Sequence, residues 1–338
     1  MANSVKRVLF IHSEIFPFLP ESPLSTIGRK LPQGIMERGR EIRIFMPRYG
    51  CINERKNQLH EVIRLSGLNI IIGDLDRPLI IKVASVSSAR MQVYFIDNED
   101  YFKRRQLSFD ENGKFFEDND QRAIFFARGV LETVKKLRWA PDIVHCQGWI
   151  SHLVPLYLKK LYAGDPIFTD CKVVTTLYDE IAGESFAPSF ASLAQSGGIQ
   201  PADLDLLAQP DGITLAETAA RYSDGIIFGS DTLDPRLTDY CKGLKVPVLP
   251  YDAAAMADGS YIDIPVQVGL SSGSNVQVTS EQLKEGDEVK LTKVTSMMNS
   301  NFGFGGAFNI SVGGMGGAMG GGGNRGGNRG GGPGSGRR

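Results

Sequence analysis

Short apolar runs alternate with segments of helical hydrophobic periodicity from residue 7 to about residue 250. Apolar runs bounded by turn residues are typical of buried strands, whereas apolar residues three and four positions apart are typical of amphipathic helices. The sequence therefore predicts strands at Arg7–His12, Glu41–Met46, Glu61–Ile72, Leu79–Val86, Met91–Ile96, Asp142–Cys146, Cys171–Leu177, Gly225–Gly229 and Val246–Leu249. It predicts helices at Leu24–Arg38, Trp149–Leu161, Ile213–Tyr222 and Leu233–Lys242.

The clearest helix begins near Asp118-Asn119-Asp120 and ends before Pro141. Its apolar stripe consists of Ala123, Phe126, Val130, Val134 and Leu137. We expect Asp118 or Asn119 to accept hydrogen bonds from the free amides of the first turn.

This alternation predicts an α/β fold with a doubly wound, mostly parallel, Rossmann-like sheet. The middle strands are close enough in sequence for local antiparallel pairing. Residues 183–212 lack a clear period and are interpreted as an inserted loop with short helices. Ligands of such sheets bind outside the carboxyl ends of the strands, which here are His12–Glu14, His145–Trp149, Leu177–Glu180 and Gly229–Asp231.

The character of the chain changes after about Ala257. We therefore predict a first domain over residues 1–257 and a small β segment over 258–295, which is rich in Val, Ser, Thr and Gly. Residues 296–338 are Gly-rich with some Met and Arg, and we predict that this tail is disordered, because it has too little apolar surface to offset chain entropy.

Composition and charge argue against several classes of protein. The net charge of −1 gives no reason to expect nucleic-acid binding, and no apolar run approaches the length of a membrane span. The four cysteines are widely spaced, so we expect no disulfide framework, no metal and a cytoplasmic location. Since the chain contains no G-x-G-x-x-G after its first strand and no phosphate-binding loop motif, we also expect no cofactor.

An ordered succession of motifs over residues 5–250 resembles the N-terminal domain of glycogen and starch synthases, glycosyltransferase family 5, in a short form. The motifs are Val8–Phe18, Pro47-Arg48-Tyr49-Gly50, Tyr94–Asn98, Tyr101-Phe102, Asp118-Asn119, Trp139–Trp149 and Tyr222-Ser223-Asp224. The resemblance implies one half of a GT-B enzyme of glycogen biosynthesis, in which this half holds the glucan and a second domain holds most of the ADP-glucose.

The chain departs from that family pattern at several positions. The family's Lys-x-Gly-Gly-Leu loop is replaced by Pro20-Glu-Ser-Pro-Leu24, its His-x-His-Asp-Trp by His145–Trp149 with Gln147 inside, and its His-Asn by Tyr178-Asp179. No stretch after residue 250 matches the second domain. We therefore expect the chain not to catalyse transfer alone, and a separate protein to supply the nucleotide-binding domain.

The candidate site residues follow from these motifs. Trp149 offers an apolar face to a sugar ring, while hydrogen bonds come from His145, Gln147, Asp97 and Asn98, with Arg48 beside them. No catalytic residue is assigned. Core packing of Trp149, a structural role of His145 and a turn at Asp97-Asn98 are the alternative interpretations.

Two further functions stay open at this point. A non-catalytic glucan-binding or regulatory protein would use the same fold, because a fold does not fix a function. Residues 260–293 also resemble the C-terminal segment of the periplasmic adaptors of efflux pumps, which suggests a fused tail or an envelope transport component.

Overall fold

The computed structural model describes residues 5–251 and five short strands beyond them, within 262–313. The chain divides into two units, Met1–Tyr251 and Asp252–Arg338. The strands of the second unit are β11 (Ile262–Pro265), β12 (Gln267–Ser272), β13 (Asn275–Thr279), β14 (Glu288–Thr292) and β15 (Asn309–Gly313). The predicted boundary at residue 257, and most of the predicted tail 296–338, lie outside the described residues.

One large sheet organises the first unit. Its strands are β1 (Arg7–His12), β2 (Glu41–Pro47), β3 (His60–Glu61), β4 (Leu68–Ile72), β5 (Leu75–Val86), β6 (Met91–Asp97), β7 (Ile143–Gln147), β8 (Lys172–Leu177), β9 (Gly225–Phe228) and β10 (Val248–Leu249). The predicted strand Glu61–Ile72 is in fact two, β3 and β4, which both pair with β5.

The order of the strands is β10-β9-β8-β7-β1-β2-β6-β5-β3. Pairing from β10 to β6 is parallel, whereas β5 pairs antiparallel with β6, as the sequence predicts for the middle strands. The chain winds from β1 to β2 on one side and later returns to β7 on the other side of β1. The carboxyl ends of β1 and β7 therefore form the switch point at which doubly wound sheets bind ligands.

The helices are α1 (Pro23–Glu37), α2 (Glu99–Phe102), α3 (Asn119–Leu137), α4 (Val154–Lys160), α5 (Phe190–Ala194), α6 (Gly212–Arg221) and α7 (Pro235–Gly243). The predicted helix Trp149–Leu161 is divided into a 3₁₀ turn at Trp149–Ser151 and the shorter α4. The aperiodic stretch 183–212 contains α5 and a 3₁₀ segment at Pro201–Ala208, in agreement with the prediction of an insertion with short helices.

Helix α1 begins and ends where local chemistry requires. Ser22 and Ser25 form a reciprocal capping box, and Pro23 occupies the first turn, where its missing N–H has no partner to lose. The helix stops at Arg38, followed by Gly39 with a φ of 77°, a conformation that favours glycine.

The predicted cap of α3 is wrong. Asp118 precedes the helix but makes no side-chain capping bond. Its carboxylate instead accepts two hydrogen bonds from Arg104, at 2.7 and 2.5 Å. Asn119 is also engaged elsewhere, because its Nδ2 donates to the Ser108 carbonyl oxygen at 2.9 Å. A charge-assisted bidentate pair is stronger than a single cap, so Asp118 is drawn toward the guanidinium.

The main apolar core contains buried side chains from the central strands of the sheet and from α3. Val130 and Val134 of its predicted stripe are fully buried. Arg122 of the same helix is buried as well; its Nε donates to the Tyr101 carbonyl oxygen at 2.9 Å, and its guanidinium lies over the Phe102 ring. In the described part of the chain no helix is long and apolar enough to cross a membrane.

Candidate functional site

A pocket of about 300 Å³ lies at the carboxyl ends of β1, β7 and β8. Its walls come from segments that directly follow these strands and β2, together with a loop before α3. The lining residues are Ser13, Glu14, Tyr49, Leu107, Ser108, Phe109, Trp149, Glu180 and Ile181. The position is the one that the switch-point rule predicts for this topology.

Gly148 allows the ends of β1 and β7 to approach each other at the floor of this pocket. Its φ is 85°, and a Cβ placed there would lie 1.7 Å from Ser13 Oγ. The backbone amide of Ser13 donates to the Gln147 carbonyl oxygen at 2.9 Å, which extends the parallel pairing by one residue. Only glycine satisfies both the backbone conformation and the lack of space.

Two aromatic rings pack against the side chain of Trp149. Only 3% of the residue is exposed, and the indole packs against Phe115 and Phe186 at centroid distances of 5.8 and 6.0 Å. Its Nε1 donates to Ser108 Oγ at 3.0 Å, and its backbone amide donates to Glu180 Oε2 at 3.0 Å. The side chain thus forms a fixed edge of the pocket and at the same time belongs to the core.

Ser108 joins the loop before α3 to this floor. Its hydroxyl oxygen accepts the hydrogen bond from the indole of Trp149. Its carbonyl oxygen accepts a second hydrogen bond from the backbone amide of Phe116, at 3.1 Å. The loop is further closed by an antiparallel bridge between Phe109 and Phe115 and by a turn at Gly113, whose φ is 77°. The wall that this loop contributes to the pocket is therefore tied to β7 through Trp149.

Two carboxyl groups face this pocket in an environment of low polarity. Burial raises the pKa of Glu180 to about 8, and the neighbouring Glu14 adds to this increase. Burial also raises the pKa of Glu14, which the hydroxyl of Ser22 opposes by donating to Glu14 Oε2 at 3.2 Å. Two carboxyls in one desolvated site do not both ionise readily, so the pair holds a proton near neutral pH.

Ser22 and Ser25 cap the first turn of α1. Ser22 Oγ accepts the backbone amide of Ser25 at 3.0 Å, while the Ser25 hydroxyl accepts the Ser22 amide at 2.9 Å. These are amides that an anion would otherwise use at a helix N-terminus. With Glu14 beside them, this corner of the pocket does not favour a phosphate.

His145 lies beneath the pocket in a chain of buried polar groups. Its Nδ1 lies 3.3 Å from His12 Nε2, and its Nε2 lies 2.8 Å from Thr176 Oγ1. His12 Nδ1 lies 3.2 Å from the Gly28 carbonyl oxygen, which can only accept, so this nitrogen carries the hydrogen. Burial lowers the pKa of His145 to about 4 and that of His12 well below its usual value, so both rings are neutral at pH 7.

Gln147, the last residue of β7, is fully buried. Its Nε2 donates to the Leu24 carbonyl oxygen at 3.0 Å and lies 3.5 Å from the Tyr178 hydroxyl oxygen, while Oε1 has no partner among the described residues. The Tyr178 ring in turn covers Gly229, where a Cβ would lie 2.4 Å from the ring. Gln147 and Tyr178, the departures from the family motifs, thus contact each other.

Asp97, Asn98 and Arg48 form a separate group at the ends of β2 and β6, outside the lining of the pocket. Asp97 is paired with Arg48 Nε at 2.9 Å and with Lys82 Nζ at 3.0 Å. Asn98 caps α2 by accepting the amides of its first turn, and its Nδ2 donates to the Pro78 carbonyl oxygen at 2.9 Å. Their side chains are thus engaged with the protein, and a direct sugar contact from them stays a prediction.

The structure therefore brings only Trp149 of the six predicted residues into the pocket lining, with His145 and Gln147 beneath it. Sequence reasoning missed Tyr49 and Ser108 as lining residues, and it placed Ser13, Glu14 and Glu180 at the ligand-binding ends of strands without selecting them. A signal existed for Glu14 and Glu180, which each follow a predicted strand at the ligand-binding edge. Among the described residues no group of three or more His, Cys, Asp or Glu side chains could hold a metal ion.

Comparison with a solved structure defines the class of the fold. The catalytic domain of Starch Synthase IV from Arabidopsis thaliana, bound to ADP and acarbose, superposes with a TM-score of 0.57. The match has 19% sequence identity and covers 73% of this chain and 52% of that one. The first unit therefore has the Rossmann-like α/β fold of one half of a GT-B glycosyltransferase.

Sequence comparison gives the family. A family model described as the starch synthase catalytic domain matches residues 7–241. The glycogen synthase of Chlorobium limicola is 43% identical over 180 residues, which is 53% of this chain and 37% of that protein. The glycogen synthase of Chlorobaculum tepidum is 37% identical over 241 residues, which is 71% of this chain and 49% of that protein. The chain belongs to the glycogen/starch synthase family, and it spans half or less of the length of these relatives.

Proposed function

We propose that this chain binds a neutral α-glucan in the pocket at the carboxyl ends of β1, β7 and β8. The observation that carries the proposal is the chemistry of the lining: hydroxyls, two carboxyls and aromatic rings, with no lysine or arginine among the lining residues in the described part of the chain. Sugar hydroxyls pair with carboxyl and hydroxyl groups, and pyranose faces pack on apolar surface.

The same lining argues against independent glucosyl transfer. Departure of a nucleoside diphosphate requires cations or free amides at the leaving oxygens. The lining residues Glu14 and Glu180 carry no positive charge, and the amides at the start of α1 are occupied by Ser22 and Ser25. We therefore propose that the chain assists transfer of glucose from ADP-glucose and depends on a separate protein for the cationic, nucleotide-binding part of the site.

Three comparisons support the choice of ligands. The two bacterial relatives named above are glycogen synthases, and the Arabidopsis structure carries ADP and acarbose. ADP-glucose as the donor rests on this kinship alone. A cytoplasmic location is part of the proposal and agrees with the free thiols Cys51, Cys146, Cys171 and Cys241, since the cytoplasm keeps thiols reduced.

A non-catalytic glucan-binding or regulatory role is the second candidate, favoured by the absence of cations from the pocket lining in the described residues.

The assay that separates the two candidates measures transfer of labelled glucose from ADP-glucose and from UDP-glucose to glycogen, with and without cell extract. Co-sedimentation with glycogen is measured in parallel. Assistance predicts binding, no transfer by the chain alone and transfer above the extract's own level when the two are combined. Binding with no gain in the mixture favours the regulatory role, and failure to bind would contradict both.

A further inference from the structure

Glu180 occupies a position that no family motif assigned to a ligand. It follows β8 and contacts the 3₁₀ turn after β7 through its Oε2, which accepts the Trp149 amide at 3.0 Å. Its Oε1 has no hydrogen-bond partner among the described residues, and the residue lines the pocket. One oxygen is therefore fixed to the protein, while the other is available to a ligand.

Among the described residues, the charged groups that act on Glu180 are both acidic. Glu14 at the end of β1 and Asp179 on its own loop act on it, and Tyr178 and Tyr49 are the hydroxyl groups that it influences. Burial dominates and raises the pKa of Glu180 to about 8. At neutral pH the acid form therefore prevails, and its proton belongs on Oε1, because Oε2 accepts from Trp149.

A carboxylic acid in this position differs from a carboxylate as a ligand for sugars. The carboxylate only accepts hydrogen bonds, whereas the acid both donates and accepts. Entry of a neutral sugar displaces water from a pocket that already disfavours charge, which raises the cost of ionising Glu180 further.

We propose that Glu180 is the specificity-determining residue of the pocket: it donates from Oε1 to a glucosyl hydroxyl, so the glucan and one proton are held together. The inference rests on the proposed glucan-binding function. The affinity for a neutral maltooligosaccharide should then be constant below about pH 8 and should fall by up to tenfold per pH unit above it.

The test measures maltoheptaose affinity of the full chain by titration calorimetry from pH 6.5 to pH 9.5. Buffers of different ionisation enthalpy report the proton taken up on binding. Glu180→Gln keeps a donor in the same place and cannot ionise, so its affinity is expected to be independent of pH and close to the native value at pH 7. Glu37→Gln, an exposed position near the end of α1, is the matched control and keeps the native pH profile.

Each outcome has a defined meaning. Native binding that does not change with pH, or a Glu180→Gln variant that retains the native decline above pH 8, would overturn the role of Glu180 and leave glucan binding intact. A folded Glu180→Gln variant that fails to bind at pH 7 would also overturn it. Absence of native binding at every pH would remove the proposed function itself and this inference with it.

Discussion

The Nε2 atom of His12 lies 3.3 Å from the Nδ1 atom of His145, and this contact joins the neighbouring strands β1 and β7. The pair continues to the Gly28 carbonyl oxygen on α1 and to the Thr176 hydroxyl on β8. Three parallel strands and one helix are thus tied together by two neutral imidazoles directly below the pocket. Because both rings are buried among apolar side chains such as Phe10, protonation of either is unfavourable.

Stability should therefore depend on pH through His145. Its pKa is about 4 in the folded protein and about 6.5 in an unfolded chain. The unfolded state binds a proton first, so this stabilisation is complete above pH 6.5 and decreases as the pH falls to 4, by up to about 1.4 kcal/mol per pH unit. Urea denaturation between pH 7 and pH 4.5 measures this dependence.

The contribution of this residue is isolated by substitution. His145→Gln is expected to be less stable at pH 7 but to show a shallower decline of the unfolding free energy with acid. His60→Gln, at an exposed histidine, serves as the control and should keep the native slope. Equal slopes for the native chain and His145→Gln would show that His145 does not resist protonation.

Gly148→Ala should destabilise the protein by about 2 kcal/mol or more. The substitution places a side chain at a φ of 85° and 1.7 Å from Ser13 Oγ, so strain and a steric clash add together. Gly164→Ala is the matched control, because its added Cβ meets nothing within 4 Å. Thermal unfolding of both variants tests the prediction; similar melting temperatures would mean that the two strand ends separate at little cost.

The Trp149–Ser108 hydrogen bond should couple the two residues energetically. Ser108→Ala leaves a buried indole N–H without its partner, which costs about 1–3 kcal/mol. Trp149→Phe removes the donor, so adding Ser108→Ala to that variant should cost little. A double-mutant cycle is expected to give an interaction energy of about 1 kcal/mol, and additive effects would show that the bond contributes nothing.

Asp97→Asn should reduce stability by about 3 kcal/mol, because it removes the buried anion that Arg48 and Lys82 share and leaves them only the more exposed Glu54. Side-chain exposure is only 3% at Asp97, so water cannot replace the lost carboxylate. Glu117→Gln removes an exposed pair with Lys114 and should change stability by less than about 1 kcal/mol. Chemical denaturation compares the two, and equal losses would contradict the account of Asp97 as a structural anion.

The sequence predicts the sheet well, because apolar runs and helical periods depend on neighbours that are near in the chain. The edge that binds ligands follows from the same alternation, and Glu14 and Glu180 could have been selected there by position. Ser108 could not, since its role depends on Trp149, 41 residues away. Asp118 illustrates a related limit: the local rule predicts a cap, but Arg104 offers a stronger partner once the chain folds.

Entry of α-glucan into the pocket beside Trp149 is the claim on which the proposed function depends. The chain contains two tryptophans, and Trp139 lies away from the pocket, with its Nε1 donating to Glu41. Titration of the Trp139→Phe variant with maltoheptaose, followed by tryptophan fluorescence, therefore observes the pocket alone. We expect a saturable change in that variant and none in Trp149→Phe, whose remaining indole is remote. Glucan that co-sediments with the protein without changing the fluorescence of Trp149 would contradict the claim.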